Sequence, residues 1–370
     1  MGRVKTLERS AKRGLMRFVG GFLRARRMGV DEFRAQRFER ILVVRQHNQM
    51  GDMMLATPAL RAIRETYPRA TIGIVTSTLN HGVLANSPFV DRVFTYDKRR
   101  PGSHLAMLRA LRRQKFDLAI VLHTVSFSFT TLMLGVLSGA RVRIGSTSAR
   151  VGDLTGSYLN ITLPLPAPEQ LATMNEAEHN LFPLRYVGIT TNDLSPLIVP
   201  GDESERWALH ASESWREGTV KLAVHPGAGK MENIWKPENF AAVVNLLGRA
   251  RELTLVVVQG PADASTVQAF TNACDVQGTI VKGRSITDVA ALLKRADLVL
   301  CNDTGVMHVA CAAGARVLAI FGLTDPVRWA PRSPGLRMVR APGGDLRALE
   351  PAVVAREAED YLRGRNAGSA

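Results

Sequence analysis

Three short stretches hold residues whose types and spacing suit chemistry on an anionic substrate. In RQHNQMGDMMLATP, Gly51-Asp52 follows an aliphatic run. A carboxylate there serves either as a base toward a substrate hydroxyl or as the N-cap of the next helix. In HPGAGKMENIWKPENF, Gly227, Ala228 and Gly229 carry little side-chain bulk, so backbone N–H groups can approach phosphate oxygens. Lys230 and Lys236 are candidate cations beside them, and an ordinary glycine turn is the plain alternative. In NDTGVMHVACAAGA, Asp303 suits an N-cap, and Val306, Val309, Ala310 and Ala313 form an apolar stripe. Thr304 and His308, at i and i+4, share another face. Free N–H groups at Thr304, Gly305 and Val306, with the helix dipole, would make an anion site, and Gly305 would keep the approach open. For His308 the alternative is a packed core histidine.

Several chemistries are excluded by pattern. Met231 follows Lys230, so the glycine loop is not a Walker A motif. No G-x-G-x-x-G follows an aliphatic run, which argues against a nicotinamide-dependent dehydrogenase. The three cysteines, Cys274, Cys301 and Cys311, show neither a pairing framework nor C-x-x-C spacing. A reducing cytoplasm and no structural zinc are expected.

The elements that must position these loops alternate. Strands are predicted at 41–45, 71–76, 92–96, 117–122 and 141–145, and again at 221–225, 253–259, 279–281, 297–302 and 316–322. Helices are predicted after Asp52, beginning or kinking near Thr57-Pro58, and at 237–250, 262–273, 286–295, 304–314 and 350–363. Such alternation implies parallel sheets covered on both faces. Residues 190–218, rich in turn formers and acids, read as a linker between two α/β domains. The expected division is 1–40, a basic extension; 41–189 and 219–349, two doubly wound domains; and 350–370, a terminal helix and tail. In such sheets ligands bind beyond the carboxyl ends of the strands, where all three loops lie.

Residues 118–140 contain no charged residue and are long enough to span a bilayer. The β-branched run ends at His123-Thr124 and a Ser/Thr-rich stretch precedes the second apolar run, so a buried strand followed by a buried helix is expected instead.

The chain of 370 residues carries +15, and residues 1–40, with twelve basic and four acidic residues, hold +8 of it. There Leu15, Phe18, Val19 and Phe22 make one helical stripe, with Arg13, Arg17 and Arg24 among its flanking residues. A basic amphipathic helix of this kind suits an anionic membrane surface, and an unpartnered basic arm is the alternative. Arg17 interrupts the apolar stretch, against a secretory signal. The absence of aromatic interleaving and of any nucleic-acid motif argues against nucleic acid.

Taken together, ILVVRQHNQMGDMMLATPALRAIRETYP, FDLAIVLHTVSFSFTTLMLGVLSGARVRIG, AVHPGAGKMENIWKPENFAAVV and CNDTGVMHVACAAGARVLAIFGLTDPVRWAP resemble glycosyltransferase family 9, the lipopolysaccharide heptosyltransferases, in order and spacing over roughly 41–345. The Asp-Thr-Gly-x-x-His run before FGxTDP carries most of the likeness. The resemblance implies a GT-B fold of two Rossmann-like domains facing a central cleft. It implies inverting transfer with no cofactor and no essential metal. The expected donor is ADP-heptose and the expected acceptor a lipid-linked glycan, at the cytoplasmic face of the inner membrane. The likeness carries the base role to Asp52, and donor contacts to Asp303, Thr304, Gly305 and His308 with the 227–229 loop. Where the family often has Lys-x-Trp-Pro, this chain has Ile234-Trp235-Lys236-Pro237, which leaves both Lys230 and Lys236 as diphosphate candidates. The alternatives are a sugar-nucleotide epimerase of the same fold and a non-catalytic nucleotide-sugar or nucleic-acid binder.

Overall fold

The computed structural model describes residues 24–46, 49–100, 102–122, 128–147 and 156–366. The stripe Leu15, Phe18, Val19 and Phe22 and the pair His123-Thr124 lie outside the described residues.

Two six-stranded parallel sheets form the frame. The first contains β1 (Arg40–Val44), β2 (Thr71–Ser77), β3 (Arg92–Tyr96), β4 (Leu118–Val121), β5 (Val142–Ser146) and β6 (Ile161–Leu163), in the order β3-β2-β1-β4-β5-β6. The second contains β7 (Val220–His225), β8 (Leu253–Gln259), β9 (Gly278–Lys282), β10 (Leu298–Asn302), β11 (Val317–Phe321) and β12 (Leu336–Arg340), in the order β12-β11-β10-β7-β8-β9. Counted within itself, each sheet has the doubly wound order 3-2-1-4-5-6, whose ligand crevice opens where the winding reverses. That reversal falls between β1 and β4 and between β7 and β10, so the loops after β1, β7 and β10 all flank a switch point.

The aliphatic strands are buried because both sheet faces are covered. Ile41 and Val43 pack with Ile72, Ile74, Leu60 and Ile63, whereas Leu42 and Val44 pack on the opposite face with Val75, Phe116 and Leu134. The first cluster also takes in Ala290, Val309, Ala312 and Ala313 from the second half of the chain. The stripe expected on the helix after β10 therefore packs partly against the first sheet, and the two halves share a core.

The charge-free stretch after residue 117 is β4 followed by the helix Phe129–Leu137, whose start is capped by the Ser128 side chain accepting from Thr131 N. No described helix is long and apolar enough to cross a membrane. The helix after Asp52 begins at Thr57 with Pro58 in its first turn, where proline's missing N–H costs nothing. A separate short helix, Met50–Met54, precedes it.

Three boundaries differ from the expected ones. Residues 24–40 do not stand apart as an extension. Ala25 N and Met28 N donate to Ser157 O and Asn160 O (2.9 and 3.1 Å), along the chain entering β6, and Phe33 and Phe38 are buried in the first core. Within 190–218, the helix Asp202–Ser212 packs on the helix Ile286–Leu293 through Ala208, and Ser204 Oγ donates to Asp288 Oδ1 at 2.7 Å. Its acidic first turn suits a helix N-terminus, so these acids are cap chemistry rather than linker composition. The remaining 190–201 stretch is held at both sides: Arg61 donates to Asp193 O and Ser195 O, and Ile198 N donates to Ala312 O. The third difference is at the sheet edges: β6 and the exposed, Arg-interrupted β12 are edge strands that alternation alone did not indicate.

Candidate functional site

Each candidate loop leaves the carboxyl end of a buried central strand. After β1, Asp52 lies within the short helix Met50–Met54, whose N-cap is Gln49, so the N-cap alternative for Asp52 does not hold. Asp52 is 5% exposed. Its main-chain oxygen accepts from Arg45 Nη2 at 3.0 Å, which ties the turn back to the end of β1.

After β10, Asn302 joins the donor-side loops. Its Nδ2 donates to Pro226 O and Gly227 O (2.9 and 3.2 Å), while its Oδ1 accepts from Trp235 N at 3.1 Å. Asp303 is not the N-cap; Thr304 holds that position for the helix Gly305–Ala312, with no side-chain cap bond. Asn233 Nδ2 donates to Asp303 O and Oδ2 (3.3 and 3.2 Å), and Thr324 Oγ1 donates to Asn233 Oδ1 at 3.2 Å. Burial pushes the Asp303 carboxyl up, against the opposing effects of Thr324 and of the Lys230 charge. Of the two candidate lysines, Lys230 is thus the one whose charge bears on Asp303, whereas Lys236 is exposed at the N-cap of the helix Pro237–Ala250.

The glycines of the 227–229 loop divide by role. A Cβ on Gly227 would stand 2.4 Å from Asp263 Cγ, so its missing side chain makes room for Asp263. Asp263 also accepts from Gly260 N at 2.9 Å and lies 3.9 Å from His225 Nε2. A Cβ on Gly229 would meet nothing within 4 Å, so this position is the open one. His225 is buried with Nδ1 at 2.9 Å from Val258 O, and burial pushes its pKa down against Val258 and Asp263.

The first and third loops meet. A Cβ on Gly51 would stand 2.8 Å from His308 Cδ2, and one on Gly305 would stand 3.0 Å from Met50 Cε. Glycine at 51 and 305 lets the two helices pack flush, with Met50 lying over Gly305, where an open approach was expected. His308 is 6% exposed, its Nδ1 has no hydrogen-bond partner among the described residues, and burial pushes it down to about 4. A histidine held neutral when folded and titrating near 6.5 when unfolded keeps its full contribution above pH ~6.5 and loses it as pH falls toward 4. Denaturant unfolding of the wild type should therefore lose about 3 kcal/mol across that window relative to His308→Gln. Parallel pH dependences for the two proteins would show that His308 is not held neutral.

Sequence reasoning brought forward Asp52, Asp303, Thr304, Gly305 and His308 but missed Asn233, Asn302, Asp263 and Thr324. Asn302 and Thr324 were legible as polar residues closing an aliphatic strand run or lying in the FGLTDP stretch. Asn233 and Asp263 carried no local signal.

The profile described as "Glycosyltransferase family 9 (heptosyltransferase)" matches residues 104–350. The lipopolysaccharide core heptosyltransferase OpsX of Haemophilus influenzae is 23% identical over 294 residues, covering 78% of this chain and 81% of that protein. A glycosyl transferase family 9 structure from Veillonella parvula superposes with a TM-score of 0.77 at 22% identity, over 88% of this chain and 97% of that one. The ADP-heptose lipopolysaccharide heptosyltransferase II of Escherichia coli gives 0.73 at 20% identity, over 88% and 99%. At these identities the structural likeness speaks to fold, and the fold is GT-B: two doubly wound α/β sheets with their strand ends facing a cleft.

Proposed function

Because the chain belongs to glycosyltransferase family 9, we propose that this glycosyltransferase moves a heptose from ADP-heptose to a lipopolysaccharide core or related lipid-linked glycan, with inversion at the anomeric carbon. The observation that supports the reading is the packing of the short helix Met50–Met54, which bears Asp52, against the helix Gly305–Ala312: Gly51 faces His308 and Met50 faces Gly305. It brings a carboxylate-bearing turn from one half against a helix from the other, which is the layout a transfer between two bound substrates needs.

In this mechanism the first sheet's unit receives the acceptor and the second sheet's unit the donor. The Asp52 carboxylate takes the proton of the acceptor hydroxyl as its oxygen attacks the anomeric carbon. The bond from that carbon to the diphosphate oxygen breaks, and the nucleoside diphosphate leaves as an anion. The N–H groups at the start of the Gly305–Ala312 helix, the open Gly229 side of the glycine loop, and Lys230 stabilise the developing charge. Asp303, Thr304 and His308 orient the sugar and diphosphate. A heptosyltransferase structure whose name includes ADP-heptose supports the choice of donor.

A thermal-shift screen against ADP-, GDP-, UDP- and dTDP-sugars tests the donor, since a ligand bound only by the folded state stabilises it by mass action. ADP-heptose should give the largest rise in Tm; a larger rise with another sugar nucleotide overturns the donor assignment.

We further propose that the basic N-terminal segment holds the enzyme on the anionic cytoplasmic leaflet of the inner membrane. Phe33 and Phe38 belong to the core, so the informative truncation removes residues 1–23, which carry six basic residues and one acidic one. Sedimentation with phosphatidylglycerol-containing vesicles should fall for the truncated protein at low salt and converge with the full chain at high salt. Equal binding at low salt would remove this segment from membrane contact.

A further inference from the structure

The helix Glu176–Arg185 belongs to the first sheet's half, where Leu181 and Leu184 enter the core and Asn180 Nδ2 donates to Leu55 O at 3.3 Å. Its N-cap, Asn175, is 1% exposed and uses its whole amide. Oδ1 accepts from Ala177 N at 3.0 Å, which satisfies a free donor of the first turn. Nδ2 donates to Val327 O and Ala330 O (3.0 and 2.9 Å), which belong to the second sheet's half. These carbonyls lie within and just after the short helix Pro326–Trp329. One side chain thus caps a helix start in one half and helix-end carbonyls in the other. Beside it, Glu176 Oε2 lies 3.4 Å from Arg328 Nη2, and Glu178 Oε1 lies 3.3 Å from Arg332 Nη2. The Arg332 pair is solvent-exposed and contributes little, so the buried amide is the main tie.

The segment docked by Asn175 leads back to Asp303. Asp325 Oδ1 accepts from Val327 N at 3.0 Å and starts the short helix. One residue earlier, Thr324 Oγ1 donates to Asn233 Oδ1 at 3.2 Å, and Asn233 Nδ2 donates to Asp303 O and Oδ2 (3.3 and 3.2 Å). Residues 324–330 are therefore held at one end by Asn175 and meet Asn233 at the other. A helix of 4 residues has no stability of its own in water, so contacts at its ends decide where Thr324 sits. We propose that Asn175 is a positioning residue for the donor site: its amide docks residues 324–330 on the first half, and the docked segment holds Thr324 where it fixes Asn233 on Asp303. Donor binding in the second half then depends on a side chain of the first half that touches no donor. This role rests on the assignment of Asp303 to the donor.

Asn175→Asp separates this role from helix capping. Aspartate caps as well as asparagine, but it sets a carboxylate oxygen against Val327 O and Ala330 O in place of two N–H donors. Titration calorimetry with ADP reads the result, beside donor and acceptor KM measured with ADP-heptose and heptose-deficient lipopolysaccharide. Asn175→Asp should raise the ADP Kd and the donor KM about tenfold and leave the acceptor KM unchanged. Thr324→Val, which cuts the segment from Asn233, should do the same, and the double variant should be no worse than either single one, because both break one path. Should Asn175→Asp fail to fold, Asn175→Ser, which keeps a capping oxygen and lacks the amide, takes its place with the same rise expected. Losses that multiply, or an ADP Kd unchanged in a folded variant, overturn the positioning role. Asp303→Asn runs beside them: weakened ADP binding there with none in the Asn175 variant keeps the donor assignment and removes only the role of Asn175. Unchanged ADP binding by Asp303→Asn overturns the donor assignment, and the role of Asn175 with it.

Discussion

Asp52→Asn should reduce kcat for sugar transfer about a thousandfold, within the range a lost general base costs. Asparagine matches aspartate in shape, and the Arg45 bond goes to the main-chain oxygen of residue 52, so the turn survives the change. Donor binding should stay as it was, because the groups proposed to bind the donor, Lys230, Asp303 and the Gly305–Ala312 helix, belong to the second sheet's half. Titration calorimetry with ADP alone, beside steady-state kinetics, separates the two. Retained turnover would remove Asp52 as the base, and a parallel loss of ADP affinity would place it in the donor site instead.

Gly227→Ala should unfold or loosen the second sheet's half, at a cost of about 3 kcal/mol, the upper part of the usual range for overpacking. The added methyl would stand 2.4 Å from Asp263 Cγ, and Asp263 is held by Gly260 N and cannot withdraw freely. Shortening the partner should relieve the clash: Gly227→Ala with Asp263→Ala should recover most of the stability in urea unfolding, and nucleotide affinity with it. If the double variant is as stable as the wild type but does not bind ADP, Gly227 serves the phosphates directly, and the steric account of this glycine fails.

The paired sheets illustrate how much local pattern conveys. Runs such as ILVV and LVLCN are apolar at successive positions because both faces of a parallel strand are buried, so they read as strands before any tertiary contact is known. The 118–140 stretch separated into strand and helix for the same reason, with a polar break no membrane span would carry. The acids of 202–205 misled because a helix N-terminus and a linker attract the same residues, and only the packing of Ala208 on Ala291 and Leu292 distinguishes them. Asp303 misled as a cap because helix starts shift by a residue when the backbone, not the side chain, sets the first turn.

From order and spacing alone came the alternation of two α/β halves, the loops at their strand ends and the family likeness that the profile match bears out. These are properties of neighbouring residues, and periodicity and turn chemistry act over a few positions. Three matters were decided by packing: that Lys230 rather than Lys236 bears on Asp303, that Gly227 yields space to Asp263, and that Gly51 packs against His308. Each joins residues that lie apart along the chain, and the same sequence pattern is compatible with many distances between them. A buried charge selects among those distances through the counter-charge it requires, and that selection exists only once the sheets have closed over it.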